Sequence, residues 1–432
     1  MISTAFGLVV LAGALWLFLS SDEPPPDVRD FNVKPLKLSD DENACAFVAR
    51  ATALVKASTF RNEETKIGEM LTGKAWDAAL VRQWLNGTDE IWALWEQAAR
   101  TPQGQIPLNT DPRYPSLSPT LVLDLHQLAQ LRAWDLARSG DPEGAIQSLF
   151  SSLQVAQRLQ QSRGKFIFYL VGTGIKRTSQ DSLRAIALEF KPSATILRQI
   201  LQQLEAARPD EVSFANGLKS EFRFLDDSLE DLKKQSASDS GFWADLALRT
   251  GLQIPRFYKP NQTHRIFAEA IRKDIGAIDH AVGTPGQLRT AEYAGIAQEG
   301  MIFSNNLIGR LLLRSGSWVE ESNLLFRLKE QSNLSANEAF FALWLYHREH
   351  GELPVTLDAL VPGYLPAVPR DYLDGQPIRY SRTLRAVWSV GFHHFNVTGH
   401  APATDEIKDE ICLPLDFAAP PATSTLPAAN SP

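Results

Sequence analysis

The sequence predicts a mainly α-helical protein: a multi-helix bundle or an irregular helical-hairpin domain, followed by a small α+β head and preceded by a transmembrane helix. Three observations lead to this prediction. Residues 39–315 repeat apolar positions with the period of a helix, and Gly and Pro fall between most of the repeats. Residues 353–391 are instead punctuated by Pro and rich in β-branched and aromatic residues. Residues 2–19 carry no charge.

The uncharged stretch from Ile2 to Leu19 has the length needed to cross a bilayer as a helix. It lacks the basic start and the small-residue cleavage site of a secretory signal. An uncleaved anchor over residues 1–20 is therefore favoured over a cleaved signal or a buried core helix. Residues 21–38 then form a Pro-rich linker, in which Pro24 to Pro26 is expected to act as a stiff spacer between the bilayer and the folded body.

Composition limits the partners that the chain can have. The net charge is −7 and no basic stripe is present, which argues against nucleic acid. The acidic residues just after the span favour export of the bulk of the chain. Cys45 and Cys412 are the only cysteines, so neither a disulfide framework nor a cysteine metal cluster is expected. Cys45 shares a helical face with Val48 and Val55, and it is expected to be a small buried hydrophobe.

The helical body is predicted over residues 39–315. Ser39 and Glu42 form a capping-box pattern, which is expected to open the first helix. The following helices are predicted from apolar periodicity: 75–85, one that carries Trp92 and Trp95, 166–188, 194–207, 214–232, 242–250, 263–281 and a short pair before Ser315.

An αα-hairpin is predicted around Gly140. An amphipathic helix starting near Leu121 should end at this glycine, with Asp141 as the N-cap and Pro142 as the first residue of the next helix. The unit resembles a tetratricopeptide hairpin. No second copy follows at the spacing of about 34 residues that an array would have. A generic antiparallel bundle is therefore favoured.

The head is predicted over residues 316–416, and a low-complexity tail over 417–432. A long helix from Ser317 to His350 should end at Gly351, because Gly supplies a left-handed C-cap and Pro354 prevents the helix from resuming. A hairpin should follow the turn at Asp374 and Gly375.

Two further contacts are predicted inside the head. Thr356 is expected to cap a short helix with an apolar face formed by Leu357 and Leu360. Tyr364 and Leu365 are expected to pack under the part of the long helix with the sequence FFALW, residues 340–344.

The order of residues in the head resembles that of the C-terminal head of major pseudopilins of type II secretion. The matching positions are Tyr346, Gly351, Pro354, Leu357, Leu360, Val361, Pro362, Tyr364, Leu365, Pro369, Asp371, Gly375, Pro377, Tyr380, Ser389 and Gly391. The whole chain also resembles uncharacterised bacterial envelope proteins that join a helical body to such a head. The resemblance implies a head outside the inner membrane. The chain lacks the basic leader, the Gly-Phe cleavage point and the early Glu of a prepilin, so a processed pilin subunit is not expected.

The resemblance also implies where a metal would bind. Pseudopilin heads hold a structural calcium on Asp side chains and carbonyl oxygens in the region after Gly391. The candidates here are Asp405, Glu406 and Asp409, but Phe392 and His393 stand where the family has an Asp-containing turn. We therefore expect no cofactor, and calcium is the one metal that the resemblance suggests. His347 and His350 could also share a metal, although the Glu of a zincin motif is missing.

The sequence contains no catalytic motif that we recognise. Gly172-Thr173-Gly174 lacks the spacing of a phosphate loop and is expected to be a buried helix with a close-packing glycine. The sequence therefore predicts a non-catalytic inner-membrane protein with one span and most of its mass in the periplasm. It would act as an interaction or assembly module for a protein or peptide partner, with a link to a secretion or pilus-like system. The alternative is an envelope hydrolase with an unrecognised site in the helical domain.

Overall fold

A computed structural model of the chain describes Leu11 and residues 21–56, 64–71, 75–106, 117–234, 257–278, 306–315, 323–391 and 411–418. Over these ranges the fold is mainly helical, as predicted. The predicted span from Ile2 to Leu19 lies outside them apart from Leu11. Among the helices that are described, none combines the length and the apolar character needed to cross a bilayer.

The body consists of helices α1 (Ala44–Lys56), α2 (Glu64–Leu71), α3 (Ala78–Leu85), α4 (Asp89–Arg100), α5 (Pro119–Arg138), α6 (Pro142–Gln161), α7 (Phe166–Phe190), α8 (Ala194–Ala206), α9 (Glu211–Lys234), α10 (Pro260–Gly276) and α11 (Leu307–Ser315). A long helix, α12 (Asn323–His350), follows them. It leads to three short strands, β1 (Arg379–Ser381), β2 (Ala386–Trp388) and β3 (Cys412–Pro414). The strands form one antiparallel sheet in the order β1-β2-β3.

The hairpin predicted around Gly140 is confirmed by α5 and α6. Gly140 has a φ of +99°, in the left-handed region that favours glycine. The Asp141 carboxylate accepts a hydrogen bond from the backbone N–H of Gly144 at 2.8 Å, and Pro142 occupies the first turn of α6. A Cβ at Gly144 would lie only 2.1 Å from that carboxylate. This glycine is therefore needed for the cap.

The first helix begins later than predicted. Ser39 donates a hydrogen bond from its hydroxyl group to Glu42 at 2.7 Å, but this capping box closes a single 3₁₀ turn. Helix α1 begins at Ala44. The preceding residue, Asn43, accepts a hydrogen bond through its side chain from the backbone N–H of Gln105 at 2.8 Å. The same oxygen accepts from the backbone N–H of Cys45 at 3.0 Å, so a local cap and a long-range contact together set the helix start.

The other predicted body helices are found at α3, α4, α7, α8, α9, α10 and α11, with bounds that differ by a few residues. Helix α2 was not predicted from the sequence. The predicted helix at 242–250 and the second helix of the pair before Ser315 lie outside the described residues.

Within the described ranges, the buried side chains form three cores. One lies among α1 to α7 and includes Trp95 and Leu125. Another joins α5 to α8 with α12 and the sheet, and it includes Leu183, Phe340 and Val387. Buried residues on both sides of the predicted boundary at 315/316 therefore share one core. The third core contains Phe31 and side chains of α7, α9, α10, the start of α12 and the head.

The end of α12 is as predicted. Gly351 has a φ of +76°, and its backbone N–H donates to the carbonyl of His347 at 2.8 Å. A 3₁₀ helix, Leu357–Leu360, follows, but Thr356 makes no side-chain cap to it. The predicted hairpin is present as β1 and β2.

Tyr364 and Leu365 occupy different environments. Leu365 is buried in the same core as Phe340, as predicted. Tyr364 is only partly buried, and its hydroxyl group donates to the carboxylate of Glu349 at 2.6 Å. Its ring lies 5.7 Å from that of Tyr346. Tyr364 thus packs against the edge of this core and on the exposed last turn of α12, whereas Leu365 is buried within the core.

Candidate functional site

A cleft of about 260 Å³ lies where the body meets the head, and we call it the junction cleft. Its walls are α7, the first half of α12 and strand β3. Its lining consists of Thr173, Lys176, Arg177, Gln180, Asp181, Arg184, Phe326, Lys329, Glu330, Asn333, Ile411, Cys412 and Leu413. Four of these side chains are basic and two are acidic, so the lining has an excess of positive charge.

The floor of the junction cleft is a buried ion pair. The Nζ atom of Lys176 lies 3.3 Å from Oε1 of Glu330, and the two side chains are only 2% and 5% exposed. Lys176 also donates to the backbone carbonyl of Ala207 at 2.6 Å. Burial lowers the pKa of Lys176 from its ordinary value, and the Glu330 carboxylate opposes that change.

Glu330 accepts hydrogen bonds from three further side chains. The amide of Gln160 donates at 2.8 Å, the hydroxyl group of Thr173 at 3.0 Å and that of Tyr169 at 3.4 Å. Burial and the nearby Glu330 charge raise the pKa of Tyr169 well above its usual value. Helices α6 and α7 thus both bind α12 through one carboxylate. Buried charges of this kind are stable only when they are paired and hydrogen-bonded.

Gly172 makes this arrangement possible. A Cβ there would lie 2.6 Å from Cγ of Gln160 and 2.7 Å from the backbone carbonyl oxygen of Ala156. The absence of a side chain lets α7 approach α6 closely, so that Gln160 reaches Glu330. The prediction of a close-packing glycine in a buried helix is therefore confirmed.

A second layer of polar side chains lies one turn further along α7. The side-chain oxygen of Gln180 accepts from the amide groups of Asn333 at 2.7 Å and Asn337 at 3.0 Å. Arg184 donates to both Asn337 and Asp181. These bonds join α7 to α12 along the cleft and hold the cationic Arg184 at its edge.

A second buried carboxylate on α12 belongs to Glu338, the residue after Asn337. Glu338 accepts a hydrogen bond from Arg208, which also pairs with Glu205. Burial raises the pKa of Glu338 to about 8, because desolvation outweighs the attraction of the arginine. The Oε1 atom of Glu338 is buried and has no hydrogen-bond partner among the described residues.

Asp371 is the polar centre of the head and is fully buried. Its carboxylate accepts from the hydroxyl groups of Ser332 at 2.9 Å and Ser389 at 3.0 Å, and from the backbone N–H of Val390 at 2.9 Å. The backbone N–H of Leu373 and the guanidinium group of Arg379 also donate, at 3.1 Å and 2.8 Å. Two residues that carry the pseudopilin resemblance, Asp371 and Ser389, are thus hydrogen-bonded to each other.

His347 and His350, which the sequence suggested as a metal-binding pair, each pack on a different aromatic side chain. His350 donates from Nδ1 to the carbonyl of Tyr346 and stacks on its ring at 4.1 Å, whereas His347 packs against Phe417. In the described ranges, no group of three His, Cys, Asp or Glu side chains could hold a metal ion. Asp405, Glu406 and Asp409 lie outside those ranges.

The two cysteines lie in different environments. Cys45 is buried, and burial raises the pKa of its thiol to about 12, which fits a small core residue. Cys412 is partly exposed and lines the junction cleft.

Lys176 and Glu330 were not predicted from the sequence. One signal for Lys176 was available, because Gly172, Ser179 and Leu183 share its helical face and are all buried. A lysine on an otherwise buried face requires a partner. Nothing local identified that partner, which lies more than 150 residues further along the chain.

Neither a protein family, nor a curated protein, nor a solved structure matches the chain.

Proposed function

We propose that the chain is a membrane-anchored cell-envelope protein that acts as a non-catalytic interaction or assembly module. One inner-membrane span would hold it, with the body and head in the periplasm. The uncharged stretch from Ile2 to Leu19 and the acidic residues after it support this arrangement. The pseudopilin-like order of residues in the head supports a link to a secretion or pilus-like system.

The observation that carries the proposal is the junction cleft. Polar side chains from the body and from the head converge there, with the partly exposed ring of Phe326 at the edge. A cleft that offers both polar groups and apolar side chains can hold a segment of a protein, because protein interfaces combine the two. The excess of basic residues favours a segment that carries acidic side chains.

Binding is favoured over catalysis because the charged floor is already bonded within the protein. The carboxylate of Glu330 has four side-chain partners, including Lys176. A general base needs an accessible lone pair aimed at the proton that it removes. The floor therefore serves best as a rigid base on which a partner rests.

The anchor is tested by fractionation. The full-length protein should stay with membranes through a high-salt wash, and removal of residues 1–20 should release a folded soluble protein. Recovery of the intact protein in the soluble fraction would contradict the anchor.

The cleft is tested by site-specific photo-crosslinking in cells. Phe326 and Leu123 are both 39% exposed, but only Phe326 lies at the junction cleft. A photoreactive phenylalanine analogue at position 326 should give a discrete protein adduct, and the same group at position 123 should not. The adduct should weaken when Lys329→Glu is added, because the lining loses positive charge, and should persist with the exposed control Lys37→Glu. Equal labelling at 326 and 123 would refute the cleft as the binding site.

One observation favours an envelope hydrolase as the second candidate. The hydroxyl group of Thr173 donates to Glu330, which also contacts Lys176, and nucleophiles of hydrolases have such a base beside them. Hydrolysis of an ester or peptide substrate by the purified protein, abolished by Thr173→Val with the fold retained, would establish this candidate instead.

A further inference from the structure

The segment that follows the predicted anchor is bound to the first turn of α10. The carboxylate of Asp22 accepts from the backbone N–H groups of Asn261 at 2.8 Å and Gln262 at 3.3 Å. The side-chain amide of Asn261 donates to the carbonyl of Glu23 at 2.6 Å. Asp22 thus caps α10 from outside that helix, and a carboxylate is the preferred group at a helix N-terminus.

The same segment is held along the next turns of α10 by arginines. Arg265 binds the carboxylate of Glu23 through two nitrogens, at 2.6 Å and 3.1 Å. Arg272 binds that of Asp30 at 2.9 Å and 2.6 Å. Phe31 is 1% exposed and packs against Phe222 with ring centroids 4.6 Å apart. Burial of such a side chain stabilises the attachment of the segment.

These contacts differ from the expected spacer. Pro24 to Pro26 lies between Glu23 and Asp27, and both ends of this stretch bind α10. The segment therefore holds the body close to the point where the predicted span ends. From Leu19 to Asp22 the chain advances at most about 11 Å.

We infer that the corner of the body formed by the start of α10, Phe257 three residues before it, and helix α11 rests on the surface of the membrane. This inference rests on the proposed anchor and adds the orientation of the body above it. We call this part of the protein the membrane corner.

The composition of the membrane corner fits a lipid surface. Phe257 is 40% exposed although it is aromatic. Its carbonyl accepts from the backbone N–H of Ile308 at 2.8 Å, which ties α11 to it. Helix α11 begins with Leu307, Ile308 and Arg310 around Gly309, and these three side chains are partly exposed. Apolar residues combined with basic ones are typical of helices that lie at a membrane interface with anionic headgroups.

Helix α11 is held against α10 by close packing. Gly309 lies so near Thr263 that a Cβ would come within 2.0 Å of its hydroxyl oxygen. The side chain of Asn306 accepts from the backbone N–H of Lys259 at 2.8 Å. The corner is thus a fixed surface, and contact with the bilayer would involve all of its parts together.

The test measures the depth of one residue in full-length protein reconstituted in vesicles of mixed zwitterionic and anionic phospholipids. Phe257→Cys in a Cys412→Ser background is labelled with an environment-sensitive fluorophore, since Cys45 is buried and unreactive. Nitroxide-bearing lipids should quench this label by about half or more, because interfacial groups lie 5–10 Å into the headgroup boundary. The matched control is Val355→Cys, which is 77% exposed.

Val355 is a suitable control because it lies beyond the far end of α12. The first turn of α12 shares a core with Phe267 of α10, and its 28 residues then extend about 42 Å before Gly351. A label at 355 should therefore stay unquenched.

The outcomes separate the two proposals. A membrane-bound protein whose label at 257 is no more quenched than that at 355 would overturn the membrane corner and leave the anchor standing. A protein that is absent from the vesicles overturns both. As a second variant, Arg265→Ala with Arg272→Ala should reduce quenching at 257 without releasing the protein, because the segment 22–31 would lose its ion pairs. Unchanged quenching in this variant would contradict the role assigned to that segment.

Discussion

The hydroxyl group of Ser332 on α12 donates a hydrogen bond at 2.9 Å to the carboxylate of Asp371 in the head. The oxygen of the same hydroxyl group accepts from the backbone N–H of Tyr372 at 2.8 Å. Ser332 therefore connects the long helix to the loop before β1 through one side chain. The buried carboxylate therefore joins α12 to Ser389 and Val390, which follow β2.

Asp371→Ala should destabilise the protein by about 3 to 5 kcal/mol, because Arg379 and the other donors lose a buried partner. Chemical denaturation followed by circular dichroism would measure the loss. Asp358→Ala, at an exposed position of the head, should change stability by less than about 0.5 kcal/mol. Similar losses for both variants would show that Asp371 is not the centre of the network.

Leu365→Ala should cost about 2 to 5 kcal/mol, since it leaves a cavity beneath Phe340. Val355→Ala, which changes an exposed apolar residue in the same region, serves as its control. The melting temperature of the whole chain is the appropriate measurement, because α12 belongs to the cores of both body and head. An unchanged melting temperature for Leu365→Ala would contradict the packing.

Lys176→Met should destabilise the protein by about 3 to 5 kcal/mol, because Glu330 would remain buried without its cation. Adding Glu330→Gln should recover part of the loss, since a neutral amide needs no counter-charge. A double-mutant cycle measured by denaturation would then give a coupling of about 0.5 to 3 kcal/mol. Purely additive losses would show that the two residues do not act as a pair.

Glu221 predicts a dependence of stability on pH. Burial raises the pKa of this carboxyl group from 4.5 to about 7, against the opposing effect of Lys165, and its Oε2 atom has no partner among the described residues. The native state therefore holds an extra proton between these values, and unfolding releases it. Stability from this group is present below pH 4.5 and is lost as the pH rises through 7.

Glu221→Gln should remove this loss. Relative to the unmodified protein, the variant should gain about 1 to 3 kcal/mol of stability between pH 5 and pH 8, at about 1.4 kcal/mol for each pKa unit. Denaturation curves at the two pH values would measure it. Glu90→Gln, at an exposed position, should show no such gain. An equal pH dependence in both variants would refute the assignment to Glu221.

Calcium should have no effect on the stability of the head. The sequence places His393 where the pseudopilin pattern has its first Asp, and histidine is a poor ligand for calcium. A ligand that binds only the native state raises the melting temperature. Because calcium is not expected to bind, its addition or chelation should leave that temperature unchanged. A rise of several degrees that Asp405→Ala abolishes would show that the site is retained in altered form.

The local features of the fold were predictable from the sequence. Gly140, Asp141 and Pro142 set the turn between α5 and α6. Gly351 ends α12 because it adopts a left-handed backbone conformation that glycine favours. The short helix α2 was missed because its eight residues include Gly68 and only a brief apolar pattern. The start of α1 was misplaced because the Ser39 capping box closes only a 3₁₀ turn, and Asn43, which also binds Gln105, caps the helix instead.

The junction cleft was not predictable, for a related reason. Thr173 and Glu330 are separated by 157 residues, and no local pattern relates them. Burial on the face of α7 could identify Lys176 as unusual, but only the folded chain identifies its partner. The resemblance of the head to pseudopilins likewise located Asp371 and Ser389 without indicating that Ser332 of α12 completes their network.

The position of α12 affects how the protein would respond to mechanical load. Its buried side chains belong to cores at both of its ends, and Glu330, Asn333 and Asn337 bind α7 along its length. A force that pulled the head away from the body would load both cores and these hydrogen bonds at once. The head and body should therefore resist such a force as one unit, with α12 as the element that they share.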